Sequence, residues 1–380
     1  MKKHFLPLLL ISLFACELIV DVEVPFEHAQ LTLNTFFNPD SVWEADVSLN
    51  RHILSDTAFQ KIENALLVIY ENDSPVDTLH HAGNGNYRSD SERPQIGKTY
   101  VIRATADGYE PVSAQSQIPS PAQITRVDVT FTESASDDRP HAKIDIKFTD
   151  DALEHNFYQI TLEGEREYID RNFGGKSTTR SPISIESDDP AIAENINANN
   201  SILIKDVLFN GKEVELSFKT RDGNVSAFTG IIVTLRTVSE DLYKYKTTSQ
   251  LQGNTSGDPF AQPVNVYNNI ENGFGVFAGY SQSNFILYNS APEPVITGFS
   301  PAKGKPGDHV IISGENFGEN PSNFYTIIFN GSPYPAYARS VSSSDTQIEV
   351  IIPETAITGK IYFQGRSRVA ISDEVFEVIR

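Results

Sequence analysis

The feature that most limits what this chain can fold into is a period of two. Ala142, Ile144, Ile146 and Phe148 alternate with Lys143, Asp145 and Lys147, and Trp43, Ala45, Val47 and Leu49 alternate with Glu44, Asp46 and Ser48. Successive side chains of a strand point to opposite faces, so this pattern builds sheets with one face buried and one wet. The runs are short, and turn sequences such as Asn38-Pro39-Asp40-Ser41, Asn72-Asp73-Ser74-Pro75 and Gly83-Asn84-Gly85-Asn86 separate them. Even spacing of short strands and turns predicts an all-β chain of tandem sandwiches. With a single cysteine, Cys16, no intramolecular disulfide can form, and packing alone must hold the cores.

The 380 residues leave room for two or three domains. Residues 25–119 predict a first sandwich, with strands at Ala65 to Tyr70, Val76 to Leu79 and Tyr100 to Ala104. The stretch from Gly97 through Ala104, followed by Asp107-Gly108-Tyr109, resembles prealbumin-like regulatory modules, which are scaffolds. Ile118-Pro119-Ser120-Pro121 reads as a hinge, because proline removes a ladder donor and holds the chain extended. Residues 120–290 form a second strand-rich region. Its Asp170 to Asn200 stretch is a polar excursion with a helical turn near Ala191 to Ile196. Asn210-Gly211 predicts a type I′ hairpin between Val207-Leu208-Phe209 and Val214, Leu216 and Phe218. Ser239 caps one short helix, Glu240 to Leu251, with Gly253 past its end. Gly273 to Tyr280 returns to the sheet.

The N-terminus carries a different signal. Lys2 and Lys3 precede the apolar run Phe5 to Phe14, and ten residues of helix rise about 15 Å, half of a hydrocarbon core of about 30 Å. Such a run suits the h-region of an export signal, and Leu13-Phe14-Ala15-Cys16 resembles a bacterial lipobox. The expectation is a signal peptide over residues 1–15, cleavage after Ala15, lipid (palmitate) on Cys16 and a tether over 16–24. Attachment by two or three acyl chains would then be effectively permanent. Glu17, Asp21 and Glu23 resemble the acidic tether of some surface-exposed lipoproteins. Loss of residues 1–15 removes two lysines and no acids, leaving 28 basic against 50 acidic residues and a net charge of −22. That balance repels nucleic acid and anionic lipid headgroups.

Two resemblances follow from longer patterns. Asn210-Gly211-Lys212, Tyr243-Lys244-Tyr245, Pro259-Phe260 and the run Asn269 to Tyr280 are similar to the Bacteroidetes lipoprotein family catalogued as domain of unknown function 4249, over residues 16 to 290. The family has no established enzymatic activity. Its members resemble outer-membrane lipoproteins encoded beside TonB-dependent receptors, which implies such a receptor as partner. Residues 292–380, through Val310-Ile311-Ile312-Ser313-Gly314, Asn316-Phe317-Gly318, Asn330-Gly331, Thr346 to Pro353 and Val375-Phe376-Glu377-Val378, resemble an immunoglobulin-like IPT/TIG domain, a spacer or interaction module where it occurs.

Candidate chemistry is sparse. The eight histidines lack zincin spacing and companion cysteines, and adjacent His80 and His81 would point to opposite faces of a strand. Asp137-Asp138, Asp150-Asp151 and Asp188-Asp189 have the oxygen ligands calcium prefers but no EF-hand order. Glu163, Glu165 and Glu167 share a strand face without an aromatic sugar platform. Gly273-Phe274-Gly275 lacks the lysine and helix of a phosphate loop, so close strand packing accounts for it better. The expected chain thus has no catalytic residue, no metal and no cofactor. With the family resemblance, the expectation is a non-enzymatic outer-membrane binding component of a TonB-dependent nutrient uptake system, the alternative being a surface adhesive or structural lipoprotein.

Overall fold

In the computed structural model the described residues are 28–380, apart from 53–54, 133–140, 171–174, 198–199, 222–227, 256–261, 263, 289–291 and 319–324. Cys16, Ala15 and the acidic tether lie outside them, as do Asp137-Asp138. The first unit contains β1 (Leu31–Phe37), β2 (Glu44–Leu49), β3 (Leu66–Glu71), β4 (Ser74–Gly83), β5 (Asn86–Arg88), β6 (Thr99–Thr105) and β7 (Val112–Gln117). They follow one another in the antiparallel order β1-β2-β5-β4-β3-β6-β7. Their turns need left-handed backbone: Asn72 and Asp73 sit at φ 50° and 61°, and Asn84 and Gly85 at 51° and 73°. Alternation buries Leu31, Leu33 and Phe37 against Trp43, Tyr87 and Tyr100.

The second unit contains β8 (Ile124–Thr132), β9 (His141–Thr149), β10 (Phe157–Asp170), β11 (Gly175–Pro182), β12 (Ile185–Glu186), α1 (Pro190–Ala193), β13 (Ser201–Lys205), β14 (Glu213–Thr220), β15 (Gly230–Val238), α2 (Glu240–Thr255) and β16 (Phe274–Tyr288). Two sheets, β11-β10-β15-β16 with β13 on β10 and β12-β14-β9-β8, enclose Ile144, Ile146, Phe148, Ile160 and Val233. β16 joins the units. Its first half pairs in parallel with β1, and its second half pairs antiparallel with β15. Phe277 thereby enters the first core, stacked on Phe37 with ring centroids 4.5 Å apart. β7 also returns beside β16, where Ser113 and Glu271 form a bridge.

Three local expectations change. Asn210-Gly211 is not the tip of a β-hairpin: residues 206–208 form a 3-10 turn, β13 belongs to one sheet and β14 to the other. The chain crosses the sandwich here. Gly211 keeps the positive φ of 73°, and its N–H donates to the buried Asp150 carboxylate at 2.7 Å. α2 runs through Gly253 to Thr255, because this glycine keeps helical backbone and Thr255 Oγ1 donates to the Leu251 carbonyl at 3.0 Å. The Asp170 to Asn200 excursion contains β11, which forms a hairpin with the end of β10, and α1 capped by Asp189. At the other end of α2, Ser239 Oγ accepts from the Leu242 N–H at 3.3 Å, as expected of a cap.

The third unit contains β17 (Val295–Ser300), β18 (Lys303–Gly304), β19 (His309–Glu315), β20 (Thr326–Gly331), β21 (Ala336–Tyr337), β22 (Arg339–Ser343), β23 (Gln347–Ile351), β24 (Ala356–Gln364), β25 (Val369–Ile371) and β26 (Glu377–Val378). Sheets β17-β19-β23-β22 and β21-β20-β24-β25 face each other across Val310, Ile312, Phe329, Val350 and Phe376. This immunoglobulin-like sandwich is seated on the far end of β10. Ile169 packs against Ile328 and Val369, Glu167 Oε2 accepts from the Val369 N–H at 3.1 Å, and Arg368 pairs with Glu293 at 3.3 Å.

Candidate functional site

β1 and β16 run side by side in the same direction, so their starts share one end of the first unit. Glycine makes the approach possible: a Cβ on Gly275 would collide with the Leu33 carbonyl, and one on Gly273 would meet the Leu31 carbonyl and Val112. The Gly273-Phe274-Gly275 stretch is therefore a strand-packing device. Asn272 precedes it in left-handed backbone at φ 59°. Its side-chain amide donates to the Pro111 carbonyl at 3.3 Å, tying β16 to the β6–β7 turn.

Around this end lies a cavity of about 700 Å³. Its walls come from the residues leading into β1 (His28 and Gln30), from Asn50 after β2, from Tyr109 and Glu110 in the β6–β7 turn, and from Phe274. The polar groups are held in place. Asn50 Oδ1 accepts from the Gln30 N–H at 2.7 Å, and the Asn50 N–H donates back to the Gln30 carbonyl at 3.0 Å. Phe274 stays 44% exposed, a large apolar side chain at a cavity rim. Amides, one carboxylate, one imidazole and two aromatic rings can hold a small polar ligand by hydrogen bonds and stacking.

The residues singled out for chemistry are dispersed. His80 lies 3.9 Å from Asp90 on an exposed strand, His155 is 3.8 Å from Asp206, and His309 is 2.8 Å from Glu349. Glu165 pairs with Arg180 at 3.2 Å, and Glu167 serves the junction with the third unit. Asp150 accepts from the Tyr158 hydroxyl at 2.5 Å, and burial first, then this carboxylate, pushes the Tyr158 phenol far above its ordinary range. Among the described residues no group of three or more His, Cys, Asp or Glu could hold a metal ion. No helix among them is long and apolar enough to cross a membrane. Apart from Phe274, none of the cavity residues carried a sequence signal for a site, since four separated segments supply them.

Fold and cavity together define a protein of linked β-sandwiches ending in an immunoglobulin-like module. The chain belongs to the family described as Domain of unknown function (DUF4249), whose model matches residues 18–286, and residues 294–371 match the IPT/TIG domain. No curated protein matches it. Among solved structures, it is similar to a structural genomics protein of unknown function from Bacteroides thetaiotaomicron, at 18% identity over 24% of this chain and 23% of that one with a TM-score of 0.23. An auxiliary nutrient binding protein from the same organism matches at 20% identity over 24% and 22%, with a TM-score of 0.21. A structure with xylogluco-oligosaccharide matches at 13% identity over 90% and 58%, with a TM-score of 0.22. In the first two the match spans less than a quarter of either chain.

Proposed function

We propose that the protein is a lipid-anchored outer-membrane lipoprotein that acts as a non-enzymatic binding component of a TonB-dependent nutrient uptake system. The cavity at the starts of β1 and β16 carries the binding half of this proposal. Its volume of about 700 Å³ falls in the range of about 300–1,000 Å³ usual for small-ligand sites. Lipid on Cys16 would also set this cavity close to a membrane. Eleven residues lie between Cys16 and His28, a span of at most about 43 Å when fully extended. A ligand held between Phe274 and Tyr109 would thus lie within reach of the membrane surface and of a receptor embedded in it. The adhesive alternative uses the IPT/TIG module as an extended spacer. Its seat on β10, through Ile169 and Glu167, supports the compact arrangement instead.

Native membranes supply the test. Cys16→Ser should abolish palmitate labelling and release the chain from the membrane pellet. Affinity purification of the anchored chain in mild detergent should recover an outer-membrane receptor, and recovery without one removes the transporter half. Phe274→Ala should lower the yield of co-purifying ligand; an unchanged yield removes the cavity as its site.

A further inference from the structure

β10, β15 and β16 present one face to α2, and that face changes character along its length. Phe157, Val238, Val276 and Ala278 meet Leu242 and Tyr243 of the helix in an apolar cluster. Two residues further along the strands the face is polar: Gln159 lies opposite Arg236, and Arg236 opposite Gln282. Arg236 Nε donates to Gln282 Oε1 at 3.2 Å, and its guanidinium lies 5.0 Å from the Tyr280 ring centroid. Lys246 stands one helical turn beyond Leu242, so both side chains point into this same layer.

Among the described residues no acid is bonded to either cation of this layer. Lys246 has no hydrogen bond or ion pair among the described residues, and burial, with Arg236 second, holds its pKa below the ordinary lysine range. Arg236 has no carboxylate partner among the described residues; the Asp40 carboxylate nearby accepts from Gln282 Nε2 at 3.2 Å. Two partly desolvated cations with no acid bonded to either among the described residues are costly, and the cost is the more notable in a chain of net charge −20.

Gln159 supplies a second, independent observation. It is 3% exposed, its Nε2 donates to Ser201 Oγ at 2.8 Å, and its Oε1 has no partner. Ser201 Oγ also accepts from Asn197 Nδ2 at 2.5 Å. Turning the Gln159 amide by 180° lets the Ser201 hydroxyl donate to Oε1 and leaves Nε2 free to donate beside Arg236. Guanidinium, ammonium and amide N–H then all belong to the layer between the sheet and α2.

We propose that the layer beneath α2 is a binding site for an oxyanion, the carboxylate or phosphate of a small solute, held by Arg236 and Lys246 with Gln159 as the third donor. The site is separate from the cavity at β1 and does not depend on the proposed uptake role. Its test is calorimetric titration of the full-length chain in detergent, at constant ionic strength, with inorganic phosphate and with galacturonate. Saturable binding of either is expected, and which one binds distinguishes a phosphate from a carboxylate source. Lys246→Met and Arg236→Gln should each weaken it about tenfold or more. Lys244→Met, on the same helix but paired with Glu240 at 3.0 Å, should leave it unchanged. In the unaltered chain, saturating probe should raise the pH at which Lys246 loses its proton by about one unit or more, followed by NMR of the lysine side-chain nitrogens. No binding of either probe, equal binding in the Met and Gln variants, or an unmoved Lys246 titration overturns the proposal.

Discussion

Replacing Phe277 by alanine tests whether β16 belongs to the first core. The ring is fully buried, stacked 4.5 Å from Phe37 and 6.2 Å from Trp43, and it reaches them only because β16 pairs with β1. Truncating a buried phenylalanine costs about 3–5 kcal/mol, the transfer energy of the ring plus the cavity left behind. Trp43 is the sole tryptophan and is 1% exposed, so its fluorescence reports this core from 234 positions away. With a urea m-value of about 2 kcal/mol per M, the midpoint of the Trp43 transition should fall by about 1.5–2.5 M. Phe36→Ala, on β1 beside Phe37 but 45% exposed, should move it by less than about 0.5 M. A Phe277→Ala midpoint within 0.5 M of the parent, in a chain that still folds, refutes the shared core; about 0.5 M here is about 1 kcal/mol.

Two glycines should respond in opposite directions. Gly275→Ala combines φ 114° with a collision against the Leu33 carbonyl and should cost about 2 kcal/mol or more, whereas Gly253→Ala, in open space on α2, should gain about 0.5–1 kcal/mol in the same urea assay. Burial, then Asp150 and Asp241 respectively, raises the Tyr158 and Tyr267 phenols above the ordinary 10.0. The stability these groups contribute is complete below pH 10 and is lost as pH rises beyond it, so both should titrate only with unfolding when absorbance is followed at high pH, as should Tyr87 and Tyr100, which burial also raises. Ile169→Asp places a carboxylate against Ile328 and Val369 beside Glu167. The IPT/TIG module should leave its seat, seen as a larger radius of gyration in solution scattering, while the Trp43 transition stays in place; an unchanged radius counts against the docked arrangement.

Local patterning was enough to place most strands and their buried faces, though not β11, which lay in a stretch read as a polar excursion. Ala142 through Phe148 buries its alternate residues as the period of two requires, and Asn72-Asp73 makes its turn because those side chains tolerate positive φ. Ser239 as a helix cap was legible for the same reason, since it depends on residues close together in the chain; the sandwich of residues 292–380 was legible through its resemblance to an IPT/TIG domain. Which strands lie side by side depends on packing between distant segments. Alternation marks a buried face but carries no record of the neighbour, so the pairing of Thr32 with Phe274 left no local trace. The same limit explains Asn210-Gly211, whose turn chemistry was real while the strands on either side went to different sheets. The cavity at Phe274 and the donors Gln159, Arg236 and Lys246 arise from those long-range pairings. Each residue is ordinary in its own segment, and chemistry emerges only where the fold makes the segments neighbours.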